Sequence, residues 1–166
     1  MNILLLGATG SIGKSVLSVI NQNNSELSLF GIAFNKNTIE ANNIVKNFAP
    51  SYVYIDDYDI FKNQNPTIKT KYINGDSALA DLINHEDVDV IICAISGFAG
   101  LKAAYIAAST GKKILLANKE SIVAGGDIIL PLAKSNNSEI IPIDSEHNAI
   151  FQCLLGEDDT KDVKKI

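Results

Sequence analysis

The 166-residue chain lacks long hydrophobic runs, and it has little positive charge and few cysteines. No apolar stretch approaches the roughly 20 residues that a membrane-spanning helix needs, so we expect no membrane anchor. The formal net charge of -5 disfavours a sequence-independent grip on nucleic acid, which requires a basic surface. Met1 is followed by apolar residues without a basic segment, a pattern that predicts neither a signal nor a transit peptide. These absences favour a cytoplasmic protein but indicate no particular chemistry.

The two cysteines, Cys93 and Cys153, lie among apolar residues and show neither metal-ligand nor redox spacing. We therefore expect two reduced cysteines that pack in the core of a cytosolic protein. Hydrophobic residues make up 46% of the sequence and charged residues 20%, which is the composition of a globular protein with a sizeable core.

Short apolar runs alternate along the chain with segments of helical periodicity, a pattern typical of βαβ units around a parallel sheet. Helices are predicted between the runs, with Asp76 or Ser77 as one N-cap, and the polar segment 57–71 is predicted to be a surface connection. The alternation predicts an α/β fold with a doubly wound, mainly parallel sheet. Six runs are predicted to be strands: 2–6, 27–34, 52–56, 88–95, 113–117 and 139–143.

A glycine-rich loop, GATGSIG at residues 7–13, lies between the first predicted strand and the first predicted helix. Gly7 permits a sharp turn, Gly10 lets the backbone approach a pyrophosphate, and Gly13 lets the helix pack against the sheet. The N-terminus of that helix would offer free N–H groups to the phosphates. The GxxGxxG spacing departs from the usual GxGxxG fingerprint, and a simple glycine turn with Ser11 as N-cap is the alternative. The position between strand and helix favours dinucleotide binding.

The second predicted strand ends in Asn35, Lys36 and Asn37, with no carboxylate. NAD-selective folds place an acid about twenty residues past the loop, where it binds the ribose 2′-hydroxyl. An ammonium group and two amides suit the 2′-phosphate of NADP instead. Asn37 or Thr38 could also be the N-cap of the next helix, and the two roles are compatible. The pattern therefore favours NADP.

Three further polar segments follow predicted strands, at the edge where open α/β sheets bind ligands. They are SGFAG at residues 96–100, LANKES at 116–121 and PIDSEHNAIFQ at 142–152. In this order and at these separations, GATGSIG, LANKES and PIDSEHNAIFQ resemble the 1-deoxy-D-xylulose 5-phosphate reductoisomerase family over residues 1–152. The third motif is the most specific, because it is long and unlike ordinary Rossmann loops.

The resemblance implies a Rossmann-type NADP-binding domain over residues 1–143 and the beginning of a truncated catalytic and metal-binding domain over 144–166. It implies an oxidoreductase of non-mevalonate isoprenoid biosynthesis, which uses NADPH to rearrange and reduce 1-deoxy-D-xylulose 5-phosphate to 2-C-methyl-D-erythritol 4-phosphate. Family members are longer and usually homodimeric, and they add a further metal-ligating glutamate, a lid and a C-terminal helical domain. We therefore expect this chain to bind NADPH and to turn over substrate negligibly.

The resemblance also implies which residues contact the cofactor. The glycine-rich loop would hold the NADPH pyrophosphate, and the end of the second strand would hold the 2′-phosphate region. Asn118 and Glu120 would contact the cofactor near its nicotinamide end. The residues implied for the first two contacts are Thr9, Gly10, Ser11, Ile12, Asn35, Lys36 and Asn37.

The catalytic and metal-binding residues implied by the resemblance lie in the other two motifs. Lys119 would hydrogen-bond the sugar phosphate substrate, and Ser145 and Glu146 would face it. Asp144 and Glu146 would ligate Mg²⁺ or Mn²⁺, ions that prefer hard oxygen ligands. Lys119, Ser145 and Glu146 are thus the expected catalytic residues.

Structural interpretations of the same residues stay open. Asp144 or Ser145 could be an N-cap, with Glu146 favourable to the helix dipole, and Lys119 could form a surface ion pair with Glu120. Two other functions are also open. Another NADP-dependent dehydrogenase, of the semialdehyde or homoserine type, explains the loop but not the third motif. A non-catalytic nucleotide-sensing module would leave the third motif with no purpose beyond capping.

Overall fold

The computed structural model describes residues 1–62 and 69–155, and its strands form one seven-stranded sheet. The strands are β1 (Asn2–Leu6), β2 (Ser28–Phe34), β3 (Tyr52–Ile55), β4 (Lys71–Ile73), β5 (Val90–Cys93), β6 (Lys113–Leu116) and β7 (Glu139–Pro142). Their order is β4-β3-β2-β1-β5-β6-β7, and every neighbouring pair is parallel. The predicted doubly wound parallel sheet is confirmed.

Eight helices lie between or after the strands in the described part of the chain. They are α1 (Ser11–Gln22), α2 (Thr38–Phe48), α3 (Tyr58–Lys62), α4 (Asp76–Asn84), α5 (Ala99–Ala108), α6 (Lys119–Val123), α7 (Gly126–Ser135) and α8 (Ser145–Cys153).

Two buried clusters lie on opposite faces of the sheet, because alternate residues of a strand point to opposite sides. In β1, Leu4 and Leu6 join the cluster that α4, α5 and α7 cover. Ile3 and Leu5 join the other cluster, which contains residues of α1 and α2. β1 is therefore buried on both faces, as its continuous apolar sequence predicts.

The sequence-based prediction misses strand β4 and helix α6, and it assigns helix α3 to a surface connection. β4 pairs Lys71 with Tyr52 of β3 and makes a seventh strand, and α6 forms within the LANKES motif. Helix α3 lies inside the predicted surface connection 57–71, whose residues 63–68 are outside the described part of the chain.

The predictions for the N-cap of α4 and for the burial of Cys153 are wrong. The N-cap of α4 is Gly75 at φ 93°, and neither Asp76 nor Ser77, so Asp76 lies in the first turn and pairs with Lys102 at 2.5 Å. Cys93 is buried as expected, but Cys153 is exposed because it lies on α8, a helix without a buried residue. No helix within residues 1–62 and 69–155 is both long and apolar enough to cross a bilayer.

Candidate cofactor and substrate site

The strand order reverses at β1, which lies between β2 and β5. From β1 the chain builds the sheet towards β4 on one side, and from β5 it builds the sheet towards β7 on the other. The loops after the carboxyl ends of β1 and β5 therefore separate and leave a crevice, which is where open α/β sheets bind ligands.

The glycine-rich loop that follows β1 depends on two of its glycines for its close packing. A Cβ added at Gly7, whose φ is 92°, would lie 2.4 Å from the carbonyl oxygen of Ala94. A Cβ added at Gly13 would lie 2.4 Å from the carbonyl oxygen of Ala8. Gly7 thus allows the predicted turn, and Gly13 allows α1 to approach the loop.

The N-terminus of α1 carries no side-chain cap. Its N-cap is Gly10 and not Ser11, and no side chain within residues 1–62 and 69–155 accepts a hydrogen bond from the first turn. The first turn also contains no acidic residue. Free backbone N–H groups and the partial positive charge of the helix end suit an anionic group at this position.

A first cleft of about 520 Å³ extends from this loop across the ends of β2, β3 and β5. Thr9, Gly10 and Asn35 are the predicted cofactor residues that line it. Lys36 and Asn37 follow Asn35 and are exposed. Asn37 is also the N-cap of α2 and accepts a hydrogen bond from the Glu40 N–H at 3.1 Å, so its predicted capping role is confirmed.

The first cleft also contains polar residues that the sequence analysis does not select. Asp56 follows β3 and lies beside Asn35, because Phe34 and Ile55 are paired in the sheet. The carboxylate that is missing at the end of β2 is therefore present one strand away. The predicted strand 52–56 already ends on this aspartate, which is the signal that could have identified it.

A second cleft of about 490 Å³ collects most of the remaining predicted residues. It shares Ala94, Ile95 and Ser96 with the first cleft, so the two clefts meet after β5. Ser11 lines neither cleft. The predicted residues that line the second cleft are Ile12, Asn118, Lys119, Glu120, Asp144, Ser145 and Glu146.

Asn118 is buried between the two loops that form this second cleft. Its side-chain N–H groups face the carbonyl oxygens of Ile95 and Gly97, both at 2.9 Å, and Glu120 Oε2 at 3.1 Å. Its Oδ1 accepts hydrogen bonds from the backbone N–H of Ser121 at 2.7 Å and from the Ser121 hydroxyl. The Asn118 side chain thus positions the cleft walls, and its predicted contact with the cofactor stays a prediction.

Lys119 pairs with Glu146 of the third motif, at 2.6 Å from Nζ to Oε1. The alternative pairing of Lys119 with Glu120 is therefore wrong. The hydrogen bond from Lys119, together with one from Ser145 Oγ at 2.7 Å, lowers the pKa of Glu146 to about 2. The same hydrogen bond to Glu146 raises the pKa of Lys119. LANKES and PIDSEHNAIFQ thus meet through an ionised pair.

Asp144 is the N-cap of α8, as its structural interpretation predicts. Its Oδ1 accepts a hydrogen bond from the His147 N–H at 3.0 Å, and its Oδ2 lies 2.9 Å from His147 Nδ1. Among residues 1–62 and 69–155, no group of three or more histidine, cysteine, aspartate or glutamate side chains is placed to hold a metal ion. Asp144 and Glu146 thus provide two carboxylates at one cleft.

Comparison with known proteins agrees with these motifs. The family model of 1-deoxy-D-xylulose 5-phosphate reductoisomerase matches residues 3–126. The chain is 42% identical over 155 residues to the 1-deoxy-D-xylulose 5-phosphate reductoisomerase of Vesicomyosocius okutanii subsp. Calyptogena okutanii, an alignment that covers 92% of this chain and 40% of the relative. It is 41% identical over 160 residues to the enzyme of Actinobacillus pleuropneumoniae serotype 3, with 93% and 40% covered. The chain thus spans about 40% of the length of these relatives.

Solved structures show the same similarity in three dimensions. A crystal structure of DOX-P reductoisomerase in complex with NADPH, fosmidomycin and magnesium superposes with a TM-score of 0.86 at 37% identity, covering 92% of this chain and 38% of that chain. The Zymomonas mobilis enzyme in complex with NADPH gives 0.84 at 33% identity, covering 92% and 41%. A homoserine dehydrogenase from Thiobacillus denitrificans, at 0.58 and 18% identity, covering 84% and 28%, shares the fold alone. The chain belongs to the 1-deoxy-D-xylulose 5-phosphate reductoisomerase family.

Proposed function

We propose that the whole protein uses NADPH to rearrange and reduce 1-deoxy-D-xylulose 5-phosphate to 2-C-methyl-D-erythritol 4-phosphate, a step of isoprenoid biosynthesis. This chain would supply the nucleotide-binding domain and the first part of the substrate site. The observation that carries the proposal is the junction of the two clefts after β5, where Ala94, Ile95 and Ser96 line both. A dinucleotide that enters at the glycine-rich loop would reach the side chains of the third motif.

The cofactor would lie with its pyrophosphate at the uncapped N-terminus of α1, near Thr9, Gly10, Ser11 and Ile12. Its 2′-phosphate would lie at Asn35, Lys36 and Asn37. All 14 basic residues of the chain are lysines, so a lysine ammonium and backbone or amide N–H groups would have to recognise this phosphate. Lys36 is the exposed cation at the end of β2, which supports NADPH as the cofactor.

The nicotinamide end would lie in the second cleft, near Asn118 and Glu120. Lys119, Ser145 and Glu146 line the same cleft and would contact the substrate. The Lys119 ammonium would bind an anionic oxygen of the sugar phosphate, and Ser145 would fix the Glu146 carboxylate through the hydrogen bond that it already donates.

Asp144 and Glu146 fit a divalent cation by their chemistry, since both offer the carboxylate oxygens that Mg²⁺ and Mn²⁺ prefer. The Lys119 ammonium lies 2.6 Å from the Glu146 carboxylate and is its counter-ion in this structure. When bound, the metal would polarise the substrate carbonyl. The contribution of this chain is to keep Glu146 ionised and to fix Asp144 through His147.

Three broader features of the whole protein belong to the same proposal. A domain boundary at 143/144, between β7 and α8, follows from the motif resemblance, and so does a homodimer. A cytoplasmic location is supported by the two free thiols of Cys93 and Cys153, because thiols stay reduced in that compartment.

Calorimetric titration of the chain with NADPH and, separately, with NADH at fixed salt tests the cofactor part of the proposal. We expect NADPH to bind more tightly, and we expect Lys36→Glu to weaken NADPH selectively, because it replaces the cation with a charge that repels the 2′-phosphate. Lys134→Glu, on α7 and outside both cleft linings, makes the same change in net charge and should leave binding unaltered. A folded chain, verified by circular dichroism, that binds neither nucleotide would contradict the proposal.

A further inference from the structure

The Asp56 carboxylate is the acidic group in the first cleft that lacks a cationic partner in the part of the chain that the structure describes. The other carboxylate of this cleft, Asp76, pairs with Lys102 at 2.5 Å. Asp56 is exposed and lines the cleft, and it accepts a hydrogen bond at Oδ1 from the Tyr54 hydroxyl at 3.3 Å. Its Oδ2 has no hydrogen-bond partner within residues 1–62 and 69–155.

Tyr54 fixes the orientation of this carboxylate. Tyr54 is only 4% exposed. Burial, the nearby charge of Asp56 and the hydrogen bond between the two side chains raise the pKa of Tyr54 to about 12. The hydroxyl therefore stays protonated at neutral pH and donates to Oδ1. The backbone carbonyl of Asp56 is also held, at 3.2 Å from the Asn74 side-chain N–H. Asp56 thus presents a positioned acceptor to the cleft.

The walls next to Asp56 suit a flat aromatic ligand. Leu79 of α4 is buried on one side of the cleft. Phe98 lies at the N-terminus of α5, lines the cleft and is 73% exposed. An aromatic ring left open to solvent beside an apolar cleft is a stacking partner for a nucleic-acid base.

We propose that Asp56 recognises the base of the dinucleotide by accepting a hydrogen bond from the exocyclic amino group of adenine, with Phe98 against the face of the base. This inference rests on the proposed function, since it concerns the base of the same cofactor. The amino edge of adenine is remote from the ribose, so the 2′-phosphate at Asn35 and Lys36 need not approach the carboxylate. A base with a 6-oxo group would place an acceptor where adenine places a donor, so the carboxylate would lose the hydrogen bond at this position.

The test is to compare binding of NADPH with binding of reduced nicotinamide hypoxanthine dinucleotide phosphate, in which a 6-oxo group replaces the amino group. We expect the chain to prefer NADPH by roughly tenfold or more, the size of a hydrogen bond to a charged acceptor. Asp56→Asn should reduce this preference to about threefold or less, because a carboxamide can donate to the 6-oxo group as well as accept from the amino group.

Asp57→Asn is the matched control, since it removes the neighbouring charge. Asp57 Oδ1 accepts hydrogen bonds from the N–H groups of Asp59 and Ile60 at 3.0 and 3.1 Å. An asparagine can accept the same bonds, so the control should fold and should retain the preference for NADPH.

The outcomes distinguish failure of this inference from failure of the proposed function. Equal binding of the two nucleotides by the unmodified chain would overturn the role of Asp56 and leave the proposed function intact. The role would also be overturned if Asp56→Asn changed the ratio of NADH to NADPH affinity and not the base preference, because the carboxylate would then face the ribose. Failure of the folded chain to bind NADPH would overturn the proposed function and this inference with it.

Discussion

Asn118 joins two parts of the candidate site through a single buried side chain. It bonds to the loop after β5 through Ile95 and Gly97, and to the start of α6 through Glu120 and Ser121. Its removal would leave buried carbonyl and N–H groups without partners, each at a cost of about 1–3 kcal/mol. The side chain therefore matters to stability as well as to the shape of the cleft.

We expect Asn118→Ala to lower the free energy of unfolding by about 2–4 kcal/mol, as is usual for the loss of a buried hydrogen-bond network. Urea denaturation followed by circular dichroism measures this change. Asn43→Ala, at an exposed position of α2, should change the same free energy by no more than about 0.5 kcal/mol. Equal effects of the two substitutions would show that the Asn118 bonds contribute nothing specific.

The two cysteines should differ strongly in reactivity. Burial raises the pKa of Cys93 to about 12, and since the thiolate is the nucleophile, the Cys93 thiol should not react with a disulfide reagent while the protein is folded. Cys153 is exposed and should react at once. Labelling of the native chain should therefore modify one thiol quickly and the second only on unfolding.

Cys153→Ser provides the control for this assignment. The variant should show no fast phase, and its slow phase should accelerate with denaturant. A fast phase that persists in Cys153→Ser would mean that the face of the sheet around Cys93 opens readily, contrary to the burial seen in the structure.

Individual site residues could be predicted only where a long motif identifies them. PIDSEHNAIFQ points to Asp144, Ser145 and Glu146, and the structure places all three in one cleft with Lys119. Asp56 and the burial of Asn118 were not predicted. Both depend on which strands are neighbours in space, and the local pattern around a residue does not contain that information.

Helix α1 packs closely against the glycine-rich loop that precedes it. Its residue Gly13 faces backbone, since an added Cβ would lie 2.4 Å from the Ala8 carbonyl oxygen and 2.7 Å from that of Gly7. Backbone atoms cannot move aside as a flexible side chain can. The glycine-rich loop and the helix would therefore have to separate to admit a methyl group.

We expect Gly13→Ala to destabilise the chain by about 1–3 kcal/mol, the usual cost of overpacking, and to weaken NADPH binding at the loop. Gly126→Ala, in the first turn of α7, is the matched control because its added Cβ would meet only ordinary contacts at 3.9 Å. This control should be neutral, or stabilising by up to about 1 kcal/mol. Thermal unfolding and nucleotide titration of both variants measure the two effects.

The long strands and helices were predictable because their apolar residues repeat over several turns or fill a complete strand. β1 and β5 are buried on both faces, and each gives a continuous apolar run. β4 has three residues and α6 has five, too few for either periodicity to show. The position of β4 is set by its pairing with β3, which a local pattern does not indicate.

In the whole molecule, the two clefts lie at the carboxyl ends of the strands of one sheet. One buried apolar cluster lies on each face of this sheet. A ligand in the first cleft would contact loops that follow β1, β2 and β5, and these strands are adjacent in the centre of the sheet. Unfolding of any of them would destroy the binding site. Binding free energy should therefore add to the stability of the whole sheet.

We expect saturating NADPH to raise the thermal unfolding midpoint. A ligand at one hundred times its dissociation constant stabilises the folded state by about 2.7 kcal/mol, which for a chain of this size corresponds to a rise of roughly 5–10 °C. Differential scanning calorimetry with and without nucleotide measures the rise. NADH at the same concentration should produce a smaller one, because its ribose lacks the phosphate that Lys36 would bind.

Lys36→Glu separates loss of the 2′-phosphate contact from loss of the fold in the same experiment. Lys36 is exposed, so the variant without nucleotide should unfold near the temperature of the unmodified chain, while its NADPH-induced rise should fall to that given by NADH. An equal rise in both proteins would place the 2′-phosphate elsewhere. Another group would then have to recognise the 2′-phosphate, and Lys102, which lines the first cleft beside Asp76, would be the next residue to replace.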